Sequence, residues 1–336
     1  KDTAAPAVIL CDYGNFNADR FLFSRIIRIK ILKKDGTRYL DNTRFPVQSK
    51  AGIKGMTYNL VDGEIVKEKL SNKSIYQERI TDDYYMVKVA MPNVKPGSVV
   101  DIQFSYNGLP HEWRFQYDIP VLWSELRIGY SNVIRYRKTY SGYVPLHSQS
   151  DSRWVAKDVP AFKSEPYINS RENYITKFEI DILDILGTIN NQMKYMSFTT
   201  DWESIGEFLM DYKYFGHVIN RSGYHVKEFL NKMNDTAQTD IERIKQVFYA
   251  IQQFNWNEKN RLLASESSVG SLFYEKPGNS ADINIALLQV LRKLGYSVQP
   301  VVLSTRDNGM LSPIYPSLNK LNHMIVHLKT GEKTYL

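Results

Sequence analysis

Apolar and polar residues alternate with a period of two along most of the first half of the chain. In residues 25–32, Ile27, Ile29 and Ile31 alternate with Arg28 and Lys30. This pattern is typical of a strand with one buried and one solvated face. The same pattern, or a short apolar run, predicts further strands at residues 58–61, 64–69, 84–91, 100–106 and 126–130. No helix-period run longer than ten residues precedes position 200.

Gly- and Pro-containing turns separate these strands. The sequences at Lys34–Thr37 and at Asp62-Gly63 predict hairpins. Short strands at this spacing indicate an antiparallel β-sandwich-like fold. Residues 159–173 then contain two prolines and several polar side chains, which predicts a linker. We therefore expect a first domain at 1–170 and a second at 171–336, the second opening with a strand around Phe178, Ile180 and Ile182.

The second half changes to a helical period. Helices are predicted after Asp201, around residues 226–233, and after Thr239, where Glu242 completes a capping box. The apolar face of this last helix is expected to contain residues 241, 244, 247, 248 and 251. Another helix runs from about residue 280 to Gly295, and strands follow at 297–304 and 323–329. Helices followed by strands predict an α+β domain, so the fold class is multidomain α+β.

Composition and charge exclude several classes of protein. A hydrophobic fraction of 43% and a charged fraction of 24% are those of a globular chain. The net charge of +7 lies in the first half, where residues 1–165 hold 25 Lys and Arg against 18 Asp and Glu. Because these charges alternate along strands, they indicate a solvated face, and no nucleic-acid partner is expected. No apolar run approaches the ~20 residues of a membrane-spanning helix.

Cysteine and histidine content limits the possible chemistry further. Cys11 is the single cysteine, so no intrachain disulfide can form, and its apolar neighbours predict burial. The histidines show no metal-ligand spacing, and we expect neither a metal nor another cofactor. Trp113, Trp123 and Trp154 suit core packing better than a sugar-stacking surface.

A tight turn and a serine open the helix at residue 280. Gly278-Asn279-Ser280 precedes a buried helix, Arg292 and Gly295 mark its end, and His323 begins a later strand. This order resembles the transglutaminase-like superfamily, whose core is related to papain-like cysteine proteases. The family pattern has G-x-C where this chain has Gly278-Asn279-Ser280, so serine stands in place of the nucleophilic cysteine.

The resemblance covers residues 240–336 at the core, and His323 matches the family histidine. The position of the family's Asp falls beyond Leu336. The first half resembles an uncharacterised β domain that precedes such cores in many secreted bacterial proteins. The resemblance therefore implies a periplasmic, extracellular or cell-surface location.

The exchange of cysteine for serine changes the chemistry that this position can perform. A helix N-terminus and a nearby imidazolium lower the pKa of a thiol and maintain a thiolate. A serine hydroxyl is too weak an acid for this, and it must pass its proton to a neutral histidine during attack. No G-x-S-x-G elbow supports a hydrolase of that other type. Ser280 is thus a helix cap or vestigial position, a serine nucleophile, or a binding residue.

The neighbouring polar residues have both structural and functional interpretations. Asn279 suits an N-cap, and Asp282 and Asn284 lie in the first turns of the helix, where Asp favours the helix dipole. Arg306 ends a strand, from which it could pair with Asp282 or bind an anionic group. His323 is either a hydrogen-bonded core histidine or the family histidine. The candidate binding residues are Asn279, Asp282, Asn284, Arg306 and Trp256, and the degenerate catalytic positions are Ser280 and His323.

We expect a non-catalytic transglutaminase-like module that binds or scaffolds, with a peptide, protein or glycan in its groove. The alternative is a serine-dependent acyltransferase or amide hydrolase, acting on a peptide or cell-wall substrate, that uses Ser280 and His323. A third interpretation makes both domains scaffold parts of a larger cell-surface protein.

Overall fold

The computed structural model describes the chain except for residues 1–3, 42–43, 48–51, 82–83, 190–191, 222, 234–235, 266–268 and 332. It contains large multi-stranded sheets and several helices, as expected for a multidomain α+β chain. The chain divides into two compact units, Lys1–Met196 and Ser197–Leu336. In the part described, no helix is both long and apolar enough to cross a membrane.

The first unit is built mainly of strands. Its elements are β1 (Ala7–Asn17), β2 (Leu22–Ile31), α1 (Arg38–Asp41), β3 (Arg44–Val47), β4 (Lys54–Val61), β5 (Glu64–Lys69), β6 (Ile75–Thr81), β7 (Tyr84–Val89), β8 (Val99–Asn107), β9 (Glu112–Arg114), β10 (Val121–Ile128), β11 (Ile134–Ser141), β12 (Ser148–Gln149), β13 (Arg153–Val159), β14 (Lys177–Ile189) and β15 (Gln192–Ser197). They form an eight-stranded sheet in the order β12-β13-β10-β1-β2-β8-β4-β5 and two smaller sheets, β11-β14-β15 with β9 beside β14, and β3-β7-β6.

The large sheet is mixed, because β1 pairs parallel to β10, whereas the sequence predicted a wholly antiparallel fold. The hairpin at Asp62-Gly63 is confirmed, since both residues have positive φ and join β4 to β5. The predicted hairpin at Lys34–Thr37 is wrong. This segment is a 3-10 turn leading into α1, and β2 pairs with β1 and β8 instead. Local turn residues could not reveal these distant partners.

The alternating pattern places the core of the first unit correctly. Ile27, Ile29 and Ile31 are buried, and Arg28 and Lys30 are exposed on the opposite face. Aromatic residues fill the same core, with Trp113 at 1% and Trp154 at 4% exposure, so the packing interpretation of both is confirmed. Trp123 is half-buried. Cys11 is also half-buried, at a register shift between β1 and β2, rather than enclosed in the core.

The strand after the proline-rich segment belongs to the first unit, and so the division between units falls after Met196 rather than near residue 170. Phe178 and Ile180 lie in β14, as the alternation predicted. This strand pairs with β11 and β9, whose residues come from 112–141. The pairing of β14 with these earlier strands joins residues that are far apart in the chain. The local composition of residues 159–173 therefore could not predict it.

The second unit packs helices against a small sheet. Its elements are α2 (Trp202–Asp211), α3 (Gly216–Asn220), α4 (Tyr224–Lys232), α5 (Asp240–Gln252), α6 (Ser280–Lys293), β16 (Ser297–Leu303), β17 (His323–Thr330) and β18 (Lys333–Tyr335). The strands pair antiparallel in the order β16-β17-β18.

The helix α6 is the most enclosed element of the second unit. Its buried residues include Ala281, Ile285 and Leu288, so it is covered on more than one face. The predicted capping box of Thr239 and Glu242 is present at the start of α5. On α5, Val247 and Ile251 are buried, but Phe248 is 48% exposed and does not belong to the predicted apolar face.

Candidate functional site

The N-terminus of α6 is held by a reciprocal capping box. The Asn279 side chain accepts a hydrogen bond from the backbone N–H of Asp282 at 3.0 Å. The Asp282 carboxylate accepts one from the backbone N–H of Asn279 at 2.9 Å. Asn279 and Asp282, which the sequence analysis considered for a cap or for binding, therefore satisfy amides that a helix end leaves unpaired.

Asp282 also holds a second segment of the chain. Its side chain is almost completely enclosed, at 1% exposure, and its other oxygen accepts the backbone N–H of Ser265 at 2.8 Å. Arg306 is exposed in the turn Arg306–Asn308, after β16. No ion pair joins Arg306 to a carboxylate among the described residues, so the predicted pair with Asp282 is absent.

The hydroxyl of Ser280 lies against the backbone of Arg261. Ser280 is 8% exposed, and its Oγ accepts the backbone N–H of Arg261 at 2.9 Å. Two acceptors are available to the hydroxyl proton, the Arg261 carbonyl at 3.3 Å and His323 Nδ1 at 3.4 Å. The shortest contact of Oγ therefore engages one of its two lone pairs, and the contact to the histidine is long.

The residues around Arg261 wrap the start of α6, and we call residues 257–265 the strap. The Lys259 carbonyl accepts the backbone N–H of Ser280 at 3.0 Å and the indole N–H of Trp256 at 3.4 Å. The Leu263 carbonyl accepts the side-chain N–H of Asn279 at 3.1 Å. The N–H groups of Ser280 and Trp256 thus share the Lys259 carbonyl as their acceptor, the second through a long contact.

The strap is also fixed at its start. The backbone N–H of Asn257 donates to the Gly278 carbonyl at 2.9 Å, and the N–H of Gly278 donates to the Asn255 carbonyl at 2.9 Å. A Cβ on Gly278 would meet Leu272 Cδ2 at 2.7 Å and Asp282 Cβ at 3.0 Å. A side chain at position 278 would therefore have to displace Leu272 and would crowd the capping Asp282.

His323 is the first residue of β17, paired with Leu303 of β16. Burial lowers the pKa of the imidazole below its ordinary value of 6.5, so the ring is neutral at pH 7. Its Nδ1 atom faces Ser280, and its Nε2 atom has no hydrogen-bond partner in the described part of the chain. The orienting acceptor that completes a triad is therefore not among these residues.

The remaining predicted binding residues have different surroundings. The Asn284 side chain donates to the Ser280 carbonyl at 2.9 Å. This carbonyl lies one helical turn earlier, so the Asn284 side chain is hydrogen-bonded within α6 itself. Trp256 is 50% exposed, and its indole N–H points to Lys259. The structure thus brings Asn279, Ser280, Asp282, Asn284 and His323 together with Trp256 at the edge. It leaves Arg306 exposed in a turn.

Sequence reasoning missed the strap, whose contacts to α6 come mainly from backbone atoms of Lys259, Arg261, Leu263 and Ser265. Backbone amides and carbonyls carry no residue signature, so only the irregular composition of the segment could have drawn attention to it. In the described residues, no group of three or more His, Cys, Asp or Glu side chains could hold a metal ion.

Comparison with known proteins shows a shared fold. No protein-family model matches the sequence, and no curated protein matches it. The structure of a "putative protease" from Parabacteroides distasonis superposes with a TM-score of 0.67 at 13% identity, covering 98% of this chain and 66% of that one. This chain thus spans about two thirds of the length of that protein and shares its fold.

Weaker similarity extends to yeast LTA4 hydrolase. The native structure matches at a TM-score of 0.25 and 8% identity, over 53% of this chain and 30% of that one. The complex with bestatin gives a TM-score of 0.23 at 8% identity, over 52% and 28%.

Proposed function

We propose that the second unit is a non-catalytic transglutaminase-like module, in which the degenerate site stabilises the fold. The observation that carries the proposal is the Ser280 hydroxyl, which accepts the Arg261 N–H at 2.9 Å and lies 3.4 Å from His323 Nδ1. A serine nucleophile needs a close general base. Here the contact to the histidine is long, and the closest contact of the hydroxyl is to the backbone of the strap.

The converging donors at Lys259 support the same proposal. An acyl-transfer site keeps such donors free for the oxygen of the substrate. Here the N–H of Ser280 and the indole of Trp256 both point to the Lys259 carbonyl. A peptide, protein or glycan partner would then bind over the closed strap rather than against Ser280. The resemblance to secreted bacterial proteins supports a periplasmic, extracellular or cell-surface location for the proposed module.

The second candidate is a serine-dependent acyltransferase or amide hydrolase. The observation that favours it is the orientation of His323, whose Nδ1 faces Ser280 and whose lowered pKa makes it a neutral base. This function requires the strap to move away, so that Oγ exchanges its Arg261 contact for a shorter one to His323. It also requires an acceptor for Nε2.

The register of β17 and β18 shows where such an acceptor would lie. Leu328 pairs with Tyr335, and Thr330 pairs with Lys333. In an antiparallel pair, a step back along one strand matches a step forward along the other. His323 lies five residues before Leu328 on β17, so its partner on β18 would lie five residues after Tyr335. If β18 continued in register, the position opposite His323 would be the fourth after Leu336. A carboxylate there would favour the second candidate.

A fluorophosphonate probe distinguishes the two candidates. The intact chain is incubated with the probe at pH 7.5, and modified residues are mapped by mass spectrometry. The non-catalytic module leaves Ser280 unlabelled, at the background level of a Ser280→Ala variant. Labelling of Ser280 that disappears in His323→Ala contradicts the proposal and establishes the serine enzyme.

A Ser280→Cys variant tests the same site independently, in a Cys11→Ala background. The enclosed position of the side chain, close to the Arg261 backbone, predicts a thiol that reacts with iodoacetamide at pH 6 no faster than glutathione does. A rate tenfold or more above glutathione would show a thiolate, and so a site that retains its ancestral geometry.

A further inference from the structure

The first unit contains a cleft of about 910 Å³, remote in the sequence from Ser280. Its volume falls in the range of small-molecule sites, which is roughly 300–1,000 Å³. Apolar side chains of β2 and β8, including Ile27, Ile29 and Phe104, form part of its lining. Polar residues of the segments 110–119 and 171–172, with Arg38 and Tyr39 of α1, form the rest.

Three of the arginines that line this cleft, Arg25, Arg114 and Arg171, are paired with carboxylates. Arg25 donates to both oxygens of the enclosed Asp12, at 2.8 and 2.6 Å. Arg114 donates to Glu112 at 2.6 Å and to Glu172 at 2.9 Å. The ion pair of Arg171 and Asp118 also lines the cleft. An anionic ligand would have to compete with these carboxylates, so the pairs disfavour phosphate or carboxylate ligands.

Side chains that line the cleft retain hydrogen-bond donors and acceptors for a ligand. The Arg25 guanidinium uses Nε and Nη2 for Asp12 and the Tyr117 hydroxyl, which leaves the Nη1 group unused, and its side chain is 22% exposed in the cleft. Arg38 is exposed at the cleft and has only the Tyr39 hydroxyl, at 3.1 Å, as its hydrogen-bond partner in the described residues. Carboxylate oxygens retain further lone pairs after binding an arginine.

We propose that this cleft binds a neutral oligosaccharide. Sugar hydroxyls are donors and acceptors at once, so adjacent hydroxyls can bridge a guanidinium N–H and the carboxylate beside it. The C–H face of a pyranose ring suits the half-buried aromatic side chains of the lining, Tyr39, Tyr106 and Tyr117. A purely apolar ligand would leave the Arg25 donors without partners, and that costs binding energy.

Calorimetry on the full 336-residue chain tests the proposal. The neutral probes are cellohexaose, maltohexaose, mannohexaose and N-acetylated chitohexaose, and the competing classes are hexagalacturonate and a tryptic digest of casein. The expected result is saturable binding of at least one neutral probe with a stoichiometry near one. Binding confined to the anionic sugar or to peptides overturns the proposal, as does no binding in the whole panel.

Variants then assign the binding to the cleft. Arg38→Ala removes an exposed donor and is expected to weaken binding about tenfold, as for one lost hydrogen bond to a charged group. Ile27→Trp enlarges a core side chain at the base of the cleft and is expected to abolish binding, with folding checked by near-UV circular dichroism. Arg20→Ala and Tyr130→Ala change exposed residues that do not line the cleft and serve as controls. Unchanged affinity in Arg38→Ala overturns the proposal even if Ile27→Trp fails to fold.

Discussion

Both units bury polar side chains, but the partners of these side chains differ. In the first unit, Asp12 binds the side chains of Arg25 and Tyr117 beside an open cleft. In the second unit, Asp282 and Ser280 bind backbone atoms of the strap. The contrast shows that polar side chains enclosed at a helix N-terminus can be engaged mainly in holding a neighbouring segment of the chain. In the first unit, by comparison, the enclosed ion pair lies beside an open cleft.

The two kinds of partner also differ in how much they contribute to the free energy of unfolding. An ion pair away from water depends on both partners, because removing one leaves an uncompensated charge. A carboxylate that accepts hydrogen bonds from backbone N–H groups stabilises the fold through charge-assisted hydrogen bonds, each of which contributes about 1.5–3 kcal/mol. A single neutral hydroxyl contributes less, about 1 kcal/mol. The losses of stability expected from substitutions follow the same order.

The largest effect is expected from Asp12→Ala, which leaves the Arg25 charge without its partner. We expect the free energy of unfolding of the first unit to fall by about 3–5 kcal/mol, measured by urea denaturation. The matched control is Asp101→Ala, because Arg28 and Asp101 form a similar bidentate pair on the solvated face of the same sheet. There the loss should be about 1 kcal/mol or less.

Equal losses in the two variants would contradict the distinction between an enclosed and an exposed ion pair. The double variant Asp12→Ala, Arg25→Met should regain stability relative to Asp12→Ala, since it removes the unpaired charge. No recovery would mean that the loss reflects a cavity rather than charge.

The next effect is expected from Asp282→Ala in the second unit. It removes the acceptor for the N–H groups of Asn279 and Ser265, and the free energy of unfolding should fall by about 2–4 kcal/mol. Asp282→Asn retains one side-chain oxygen and should lose less. If the alanine and asparagine variants were as stable as the parent chain in urea, Asp282 would not hold the strap.

Ser280→Ala should have a smaller effect, about 0.5–1.5 kcal/mol, because one neutral hydrogen bond to Arg261 is lost. Limited proteolysis should at the same time cleave more readily between residues 257 and 265. Ser312→Ala is the matched control, since its hydroxyl also accepts backbone N–H groups but at the surface. A more stable Ser280→Ala variant would indicate that the hydroxyl is kept for activity at the expense of stability.

The smallest effect concerns pH. The lowered pKa of His323 means that the unfolded chain takes up a proton below about pH 6.5 while the folded chain does not. The stability associated with neutral His323 is therefore present above pH 6.5 and is lost as the pH falls toward the folded-state pKa. His323→Asn should show a shallower fall in Tm between pH 7.5 and 5. An unchanged slope would show that burial does not depress this pKa.

Much of the second unit could be predicted from the sequence, since its signals are local. The capping box of Thr239 and the end of α6 at Gly295 depend on residues close in the chain. The resemblance to the transglutaminase-like pattern paired Ser280 with His323, and Ser280 Oγ lies 3.4 Å from His323 Nδ1. The strap contacts to α6 could not be predicted, because they join backbone atoms to side chains 16 to 19 residues later.

The first unit shows where local patterns are insufficient. Alternation identified the buried face of β2 but not the parallel pairing of β1 with β10, which joins residues more than 100 positions apart. The enclosed pair of Asp12 and Arg25 was also missed, although a charged residue inside the apolar segment of β1 was a signal for it. Which charges meet across a sheet depends on register, and register is set by the whole fold.

The central claim is that the Ser280 hydroxyl binds the Arg261 backbone rather than a substrate, and amide hydrogen exchange at Arg261 tests it most directly. In the parent chain the Arg261 amide should be protected, because its N–H donates to Ser280 Oγ at 2.9 Å. In Ser280→Ala its exchange should accelerate about tenfold, as expected from a loss of about 1.4 kcal/mol. Rapid exchange of Arg261 in the parent chain, or an unchanged rate in the variant, would contradict the account.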